Sequence, residues 1–347
     1  MAFTHTSAMS LHYLEEVSSG CGDRISLSIR WNDARLVVHL DPSATGNAIE
    51  DSLIEKYNAA CIVEDCDEEE AMSEQILDAI VEAGRPIFDQ LAPRPVISTS
   101  APSDLHSLLF PKEYTFRFRT LDNTTRLILT AKHSPSENRP APEPLEQPFH
   151  LTIGEGTNLP KFSTKDIRVL EKLLGDGYIA RVLVNGQEMC SKVGNDLRAD
   201  SAQRELTTLL KITTSQYADA LRVPKLRGLV HTPDDGRIIG FLEDYVPSED
   251  GSELSNLGDI ETTSSIAEAR RKKWALQVQE TVHLLHQIGI TWGDGKAGNV
   301  LIDHDTDDAW IIDFGGGWTD GWVEQELSGT IEGDELAVRK IFEFLGV

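Results

Sequence analysis

Near the C-terminal end of the sequence a carboxylate, an amine and an amide fall within six residues, as Asp294-Gly-Lys296-Ala-Gly-Asn299, and a second carboxylate follows at Asp313. Between them lie the apolar residues Val300, Leu301 and Ile302, a short polar stretch, and Trp310-Ile-Ile leading into Asp313-Phe314-Gly315. Two polar loops bracketing a hairpin of apolar strands would bring Asp294, Asn299 and Asp313 to one place. Carboxylate and amide oxygens are the donors that a hard divalent cation such as magnesium takes, usually with several waters kept. Read as plain structure, the same residues are Asx turns between strands.

The charge of the whole chain makes such local chemistry necessary. A formal net charge of -25 over 347 residues repels nucleic acid and anionic lipid, which are bound chiefly through clustered Lys and Arg, and no basic stripe stands out. Neither nucleic acid nor membrane is expected as a partner. The same charge repels ATP, so a nucleotide site here needs correction by a lysine, by backbone amides and by metal held on carboxylates.

Upstream elements supply candidates for that correction. The order Leu173-Leu-Gly175-Asp-Gly177-Tyr-Ile-Ala180-Arg-Val182, then Asn185-Gly186, then Lys192-Val193, reads as strand, glycine turn, strand, tight hairpin, strand. Gly175 and Gly177 would let backbone amides approach phosphate oxygens, and Lys192 would extend its ammonium into the same space. Gly-x-Gly turns also occur in plain hairpins, and strand lysines are commonly solvated. Residues from Ser201 to Ile212 have helical spacing, with Glu205 able to face the sheet and pair with Lys192. From Arg237 to Pro247 a buried strand runs into an exposed connector through Glu243 and Tyr245. A helix from Arg270 to Gln287 carries Trp274, Val278, Val282 and Leu285 at core spacing.

Taken in this order, D-x-K-x-x-N, an apolar strand, a turn and I-I-D-F-G resemble the catalytic and metal-binding pattern of the eukaryotic protein kinase superfamily. The resemblance covers about Phe162 to Val347. It implies that Asp294 orients an acceptor hydroxyl and takes its proton, that Lys296 contacts the transferred phosphate, and that Asn299 and Asp313 hold Mg2+. It further implies nucleotide contacts from Gly175, Gly177, Ala180, Val182, Lys192 and Glu205, with Glu243 and Tyr245 at a hinge. Two departures stand out. Trp292-Gly293 replaces the usual histidine-arginine pair, as in the aminoglycoside and choline kinase-like branch and small atypical kinases. Only 34 residues follow Asp313, with no Ala-Pro-Glu element, so the C-lobe is minimal. Its last helix, Gly333 to Phe342, would place Asp334 to hydrogen-bond the catalytic-loop backbone. The tail resembles a group of fungal kinase-like proteins in which a variable N-terminal module precedes a truncated kinase domain.

Before that domain the pattern differs. Ile25, Leu27, Ile29 and Trp31 alternate with polar residues, Asn32-Asp33 offers a turn, and Leu36, Val38 and Leu40 resume the alternation, predicting a hairpin. The acid run Glu64 to Glu70, interrupted by Cys66, reads as a solvated cap on a helix lined by Met72, Ile76, Ile80 and Ala83. Tyr114, Phe116 and Phe118, then Asp122-Asn123, Leu127 and Leu129 predict a second hairpin. Residues 1–133 thus read as a small α+β module with no catalytic constellation, a candidate for recruiting a protein partner. Pro135, Pro140, Pro142, Pro144 and Pro148 mark an extended linker or surface strap, placed at 134–160. The kinase-like domain is placed at 161–347, with an N-lobe at 161–247 and a reduced C-lobe at 265–347. The expected fold class is therefore α+β: a bilobal protein-kinase-like fold with a minimal C-lobe behind a small α+β module.

Cys21, Cys61, Cys66 and Cys190 are too scattered to staple a chain this long, and no secretory, organellar or membrane-spanning signal is legible, so the expected setting is cytoplasmic or nuclear. Three functions compete. Lys296 and the intact D-x-K-x-x-N and D-F-G sets favour ATP-dependent transfer to a Ser or Thr hydroxyl of a protein. Gly293 and the missing peptide platform favour a small-molecule alcohol kinase, with Trp292, Trp318 and Trp322 as walls for the ligand. The third is a binding protein that uses the kinase fold without turnover.

Overall fold

In the first unit, β2 (Ile25–Trp31) sends Ile25, Leu27, Ile29 and Trp31 into a core, and β3 (Ala34–Leu40) returns with Leu36, Val38 and Leu40 opposite them. Asn32 takes φ 51° at the turn, a left-handed conformation that asparagine tolerates. The computed structural model describes residues 12–19, 24–63, 66–94, 104–122, 124–133, 149–154, 156–174, 178–194, 199–247, 256–260 and 265–347. The chain divides into two units, Met1–Glu146 and Gln147–Val347.

Around that hairpin, β1 (His12–Ser19) pairs with β2, and α1 (Ile49–Val63), α2 (Cys66–Leu91) and the short α3 (Leu105–Leu109) lead to β4 (Lys112–Leu121) and β5 (Thr124–His133). The sheet order is β1-β2-β3-β4-β5. Only the β3–β4 pair is parallel, because the helices carry the chain back across before β4 begins. Phe116 and Phe118 of β4 join the same core, and β4–β5 is the predicted second hairpin.

The periodicity that ends at Ala83 understates α2, which continues through Pro86 to Leu91. Phe88 explains the extension: its ring lies 5.1 Å from Trp31 and 5.3 Å from Phe116, wholly buried. Gly84 lets this turn approach the sheet, since a Cβ there would overlap Phe88 and Leu127. Of the acid run, Glu68 to Glu70 are exposed, while Glu64 and Asp65 lie outside the described residues.

The second unit opens with a correction. The expected linker reached residue 160, yet Leu151 is buried, its N–H donates to Ile238 O at 2.7 Å, and Gln203 bonds both the N–H and the carbonyl of Thr152. Alternating Phe149, Leu151 and Ile153 pack on the core of this unit, a period-two signal hidden beside the prolines. The five prolines themselves lie outside the described residues.

Next come β6 (Lys161–Ser163), β7 (Arg168–Leu174), β8 (Ile179–Val184), β9 (Gln187–Val193), α4 (Ala199–Thr213), β10 (Leu226–His231) and β11 (Ile238–Asp244). They form a sheet of order β6-β10-β11-β9-β8-β7 with α4 as its helix, the N-lobe of this unit. Asn185 and Gly186 turn β8 into β9 with φ 51° and 82°, the two positive values a two-residue hairpin of this kind requires. The C-lobe consists of α5 (Glu268–Gln287), the hairpin β12 (Val300–Ile302) with β13 (Ala309–Ile311), and α6 (Ile331–Leu345). Trp274, Val278, Val282 and Leu285 of α5 are buried as their spacing predicts, and one core runs through both lobes. The unit is an α+β fold in which a six-stranded sheet with one helix, its N-lobe, precedes a mostly helical C-lobe. Among the described residues no helix is long and apolar enough to cross a membrane.

Candidate active site

The β12–β13 hairpin sets the geometry. Val300 pairs with Ile311, and Ile312 N donates to Asn299 O at 3.0 Å, so Asn299 and Asp313 stand side by side where the two strands begin and end. The turn before β12 holds Asn299 by its side chain, whose Nδ2 donates to Asp294 O at 2.9 Å and more weakly to Asp294 Oδ2 at 3.5 Å. This commits the side-chain nitrogen inward and leaves the side-chain oxygen Oδ1 of Asn299 as the atom that could ligate a metal. Asp313 takes φ 66°, a left-handed conformation that aspartate, like asparagine, can adopt. Gly315 N–H donates to its carboxylate at 3.3 Å. A side chain at Gly315 would overlap Ser201 of α4, which explains the glycine.

Asp294 is nearly buried, with 7% of its surface exposed. Lys296 Nζ donates to Asp294 Oδ2 at 2.7 Å and to Thr319 Oγ1 at 2.8 Å, and Thr319 Oγ1 donates to Asp294 Oδ1 at 2.9 Å. Thr319 is thus a site residue that sequence reading missed. It lies 25 residues from Asp294 with no local pattern to link them, and only the fold closes the distance.

Behind this loop, Asp334 at the start of α6 accepts from Trp292 N at 2.8 Å, Gly293 N at 2.9 Å and His286 Nε2 at 2.8 Å. The predicted role of Asp334 is met. Gly293 has φ 94°, which no ordinary side chain adopts readily, so the Gly-Asp pair is a backbone requirement of this turn. Trp292 is core: it is 1% exposed and its Nε1 donates to Ile312 O at 2.9 Å. Trp322 packs on Phe344, and Trp318 is exposed. The three tryptophans therefore do not line a common pocket wall.

From the N-lobe, Lys192 reaches Glu205 Oε1 at 2.6 Å, the pair that α4 was expected to provide. It also reaches Glu243 Oε1 at 3.0 Å. Burial works against the lysine charge, but Glu205 and Glu243 outweigh it and hold its pKa well above the ordinary value. Asp313 is raised above the usual carboxylate range, by burial first and by the Glu205 charge second, while Lys192 opposes the shift.

Three expectations are corrected here. Glu243 is not displayed on a hinge: it is 3% exposed inside β11 and turned to Lys192. Ala180 and Val182 pair with Ser191 and Met189, so strand alternation puts them on the sheet face opposite Lys192. Ile179 and Arg181 share the lysine's face instead, as the register set by the two-residue Asn185-Gly186 turn requires. Tyr245 does lie on the connector, under the Arg181 guanidinium at 4.9 Å from its ring centre. Gly175 and Gly177 lie outside the described residues.

Among the described residues no group of three or more His, Cys, Asp and Glu side chains converges as a metal site. The donor set is instead one carboxylate oxygen and one amide oxygen, which fits Mg2+ completed by phosphate and water oxygens. Compared with known proteins, the chain matches no family model and no curated sequence. Among solved structures that match, the kinase PK-1 of Cydia pomonella granulovirus is 19% identical, with a TM-score of 0.42, over 52% of this chain and 68% of that one.

Proposed function

We propose that residues 147–347 transfer the γ-phosphate of ATP, with Mg2+, to a Ser or Thr hydroxyl of a protein. The observation that carries this is the arrangement of Asp294, Lys296 and Thr319, in which an amino-acid hydroxyl already donates to the candidate base at 2.9 Å and accepts from the lysine at 2.8 Å. An acceptor hydroxyl in that place would be oriented by Asp294 and pass its proton there, with heavy-atom separation in the range proton transfer needs. Lys296 would counter charge on the transferred group, and Lys192 would bind phosphate oxygens of the nucleotide. Mg2+, held by Asn299 and Asp313, would neutralise phosphate charge that the acidic chain otherwise repels. The resemblance to truncated fungal kinase-like proteins belongs to the same reading, as does recruitment of a protein through residues 1–133.

A small-molecule alcohol acceptor is the second reading. The observation in its favour is Gly293, whose φ of 94° makes the Gly-Asp pair a requirement of the turn. Burial of Trp292 removes one of its supports. Labelled ATP offered with peptide mixtures, and separately with sugar and amino-alcohol panels, distinguishes the two. Label on Ser or Thr peptides that disappears in Asp294→Asn supports the first; label only on small alcohols supports the second. ATP binding with no transfer to any acceptor would turn the reading to a kinase-fold binding protein.

A further inference from the structure

Five consecutive residues of β11, Ile238 to Leu242, are buried and uncharged, and the sixth is Glu243, also buried. Packing alone calls for an apolar residue at that position, since a buried carboxylate carries a desolvation cost that an apolar replacement avoids. Glu243 pairs across the ladder with Cys190, and Phe241 pairs with Lys192. Glu243 and Lys192 are therefore diagonal neighbours on one face, with their separation set by backbone hydrogen bonds of the sheet. Glu205 approaches the same ammonium from α4. The side chains of Lys192, Glu205 and Glu243 are 13%, 11% and 4% exposed.

We propose that Glu243 is a second, sheet-borne positioning residue for Lys192, which keeps the ammonium aimed at the nucleotide phosphates whether or not α4 delivers Glu205. The inference rests on the phosphotransferase reading above. An ammonium has three N–H donors; two are met by Glu205 and Glu243, and the third is left for a phosphate oxygen. The groups facing Glu243 are Lys192 and Cys190 from β9, Glu205 from α4, and Asp244 on its own strand, so Lys192 is the one cation among them. Burial and the neighbouring Glu205 charge raise the Glu243 pKa to about 7 against the opposing pull of Lys192. An arrangement of this kind is costly as packing and informative as placement.

The test uses the full chain with Glu205→Gln, Glu243→Gln and the double variant, and Glu243→Met as an apolar replacement suited to the strand. Two quantities are read: the rate at which an amine-reactive ester modifies Lys192, mapped by peptide mass, and the dissociation constant for Mg-ATP. Each single substitution is expected to speed modification and to weaken Mg-ATP by roughly fivefold, and the double by about a hundredfold, more than the product of the singles. Glu243→Met should follow Glu243→Gln, and the pH midpoint of Lys192 modification should fall in both. Modification at the wild-type rate in both Glu243 variants, with the double matching Glu205→Gln, overturns the proposal. If wild type shows no affinity for Mg-ATP but the modification pattern holds, the anchor stands and the phosphotransferase reading falls.

Discussion

Asp294 accepts hydrogen bonds from Lys296, Thr319 and, at longer range, Asn299, and this crowding is what gives a substitution there a readable outcome. Asp294→Asn keeps size and most of the contacts while removing the base. Transfer should fall by about a thousandfold or more, with Mg-ATP affinity within about threefold of wild type, measured by turnover and by ligand-dependent melting. Full turnover in this variant would remove Asp294 from the mechanism. Glu243 carries a pH prediction. Its folded pKa of about 7 lies above the ordinary 4.5, so its protonated form favours the fold. That contribution is complete below the unfolded value and is lost as pH rises through about 7. Glutamine mimics the protonated form, so the melting temperature of Glu243→Gln minus that of wild type should climb between these two pH values. A flat difference would count against the assignment. At this scale the sequence showed Asp294, Lys296, Asn299, Asp313, Lys192 and Glu205 through type and spacing. Thr319 and the inward turn of Glu243 were hidden, because each depends on a partner far away in the chain.

Among elements, α6 decides the shape of the turn that carries Asp294. Its first turn supplies Asp334 as acceptor for two backbone N–H groups that are otherwise buried without a partner at Trp292 and Gly293. Asp334→Ala should cost about 3 kcal/mol, seen as a drop of several degrees in the melting of the second unit, together with a fall in turnover. Unchanged melting would show the acceptor to be dispensable. Hairpins were the most legible elements: alternation with Asn32-Asp33 and with Asn185-Gly186 foretold β2–β3 and β8–β9. Face assignment was less so, since Ala180 and Val182 were placed by their position after the glycines and the ladder puts them on the sheet face opposite Lys192. The Pro86 turn of α2 was illegible for a different reason. Local propensity ends a helix there, and packing of Phe88 against Trp31 and Phe116 overrides it.

At the level of the whole chain, two buried cores account for the two units, one around Trp31, Phe88 and Phe116, the other running from Leu151 to Leu345. They have no residue in common. Phe88→Ala should therefore lower one melting transition by a cavity cost of about 3–5 kcal/mol while the stabilisation of the other by Mg-ATP stays as in wild type. Loss of the Mg-ATP response in that variant would mean that the units unfold together. The division was legible as a change of pattern and a run of prolines, but its edge was not, because Phe149, Leu151 and Ile153 look like linker until the sheet they cover is known. Separate cores also separate two fates of the molecule in a cell. Degradation would follow whichever unit opens more readily to a protease, whereas the proposed phosphoryl-transfer residues all belong to the second unit, so abundance and specific activity would be altered by different sets of substitutions.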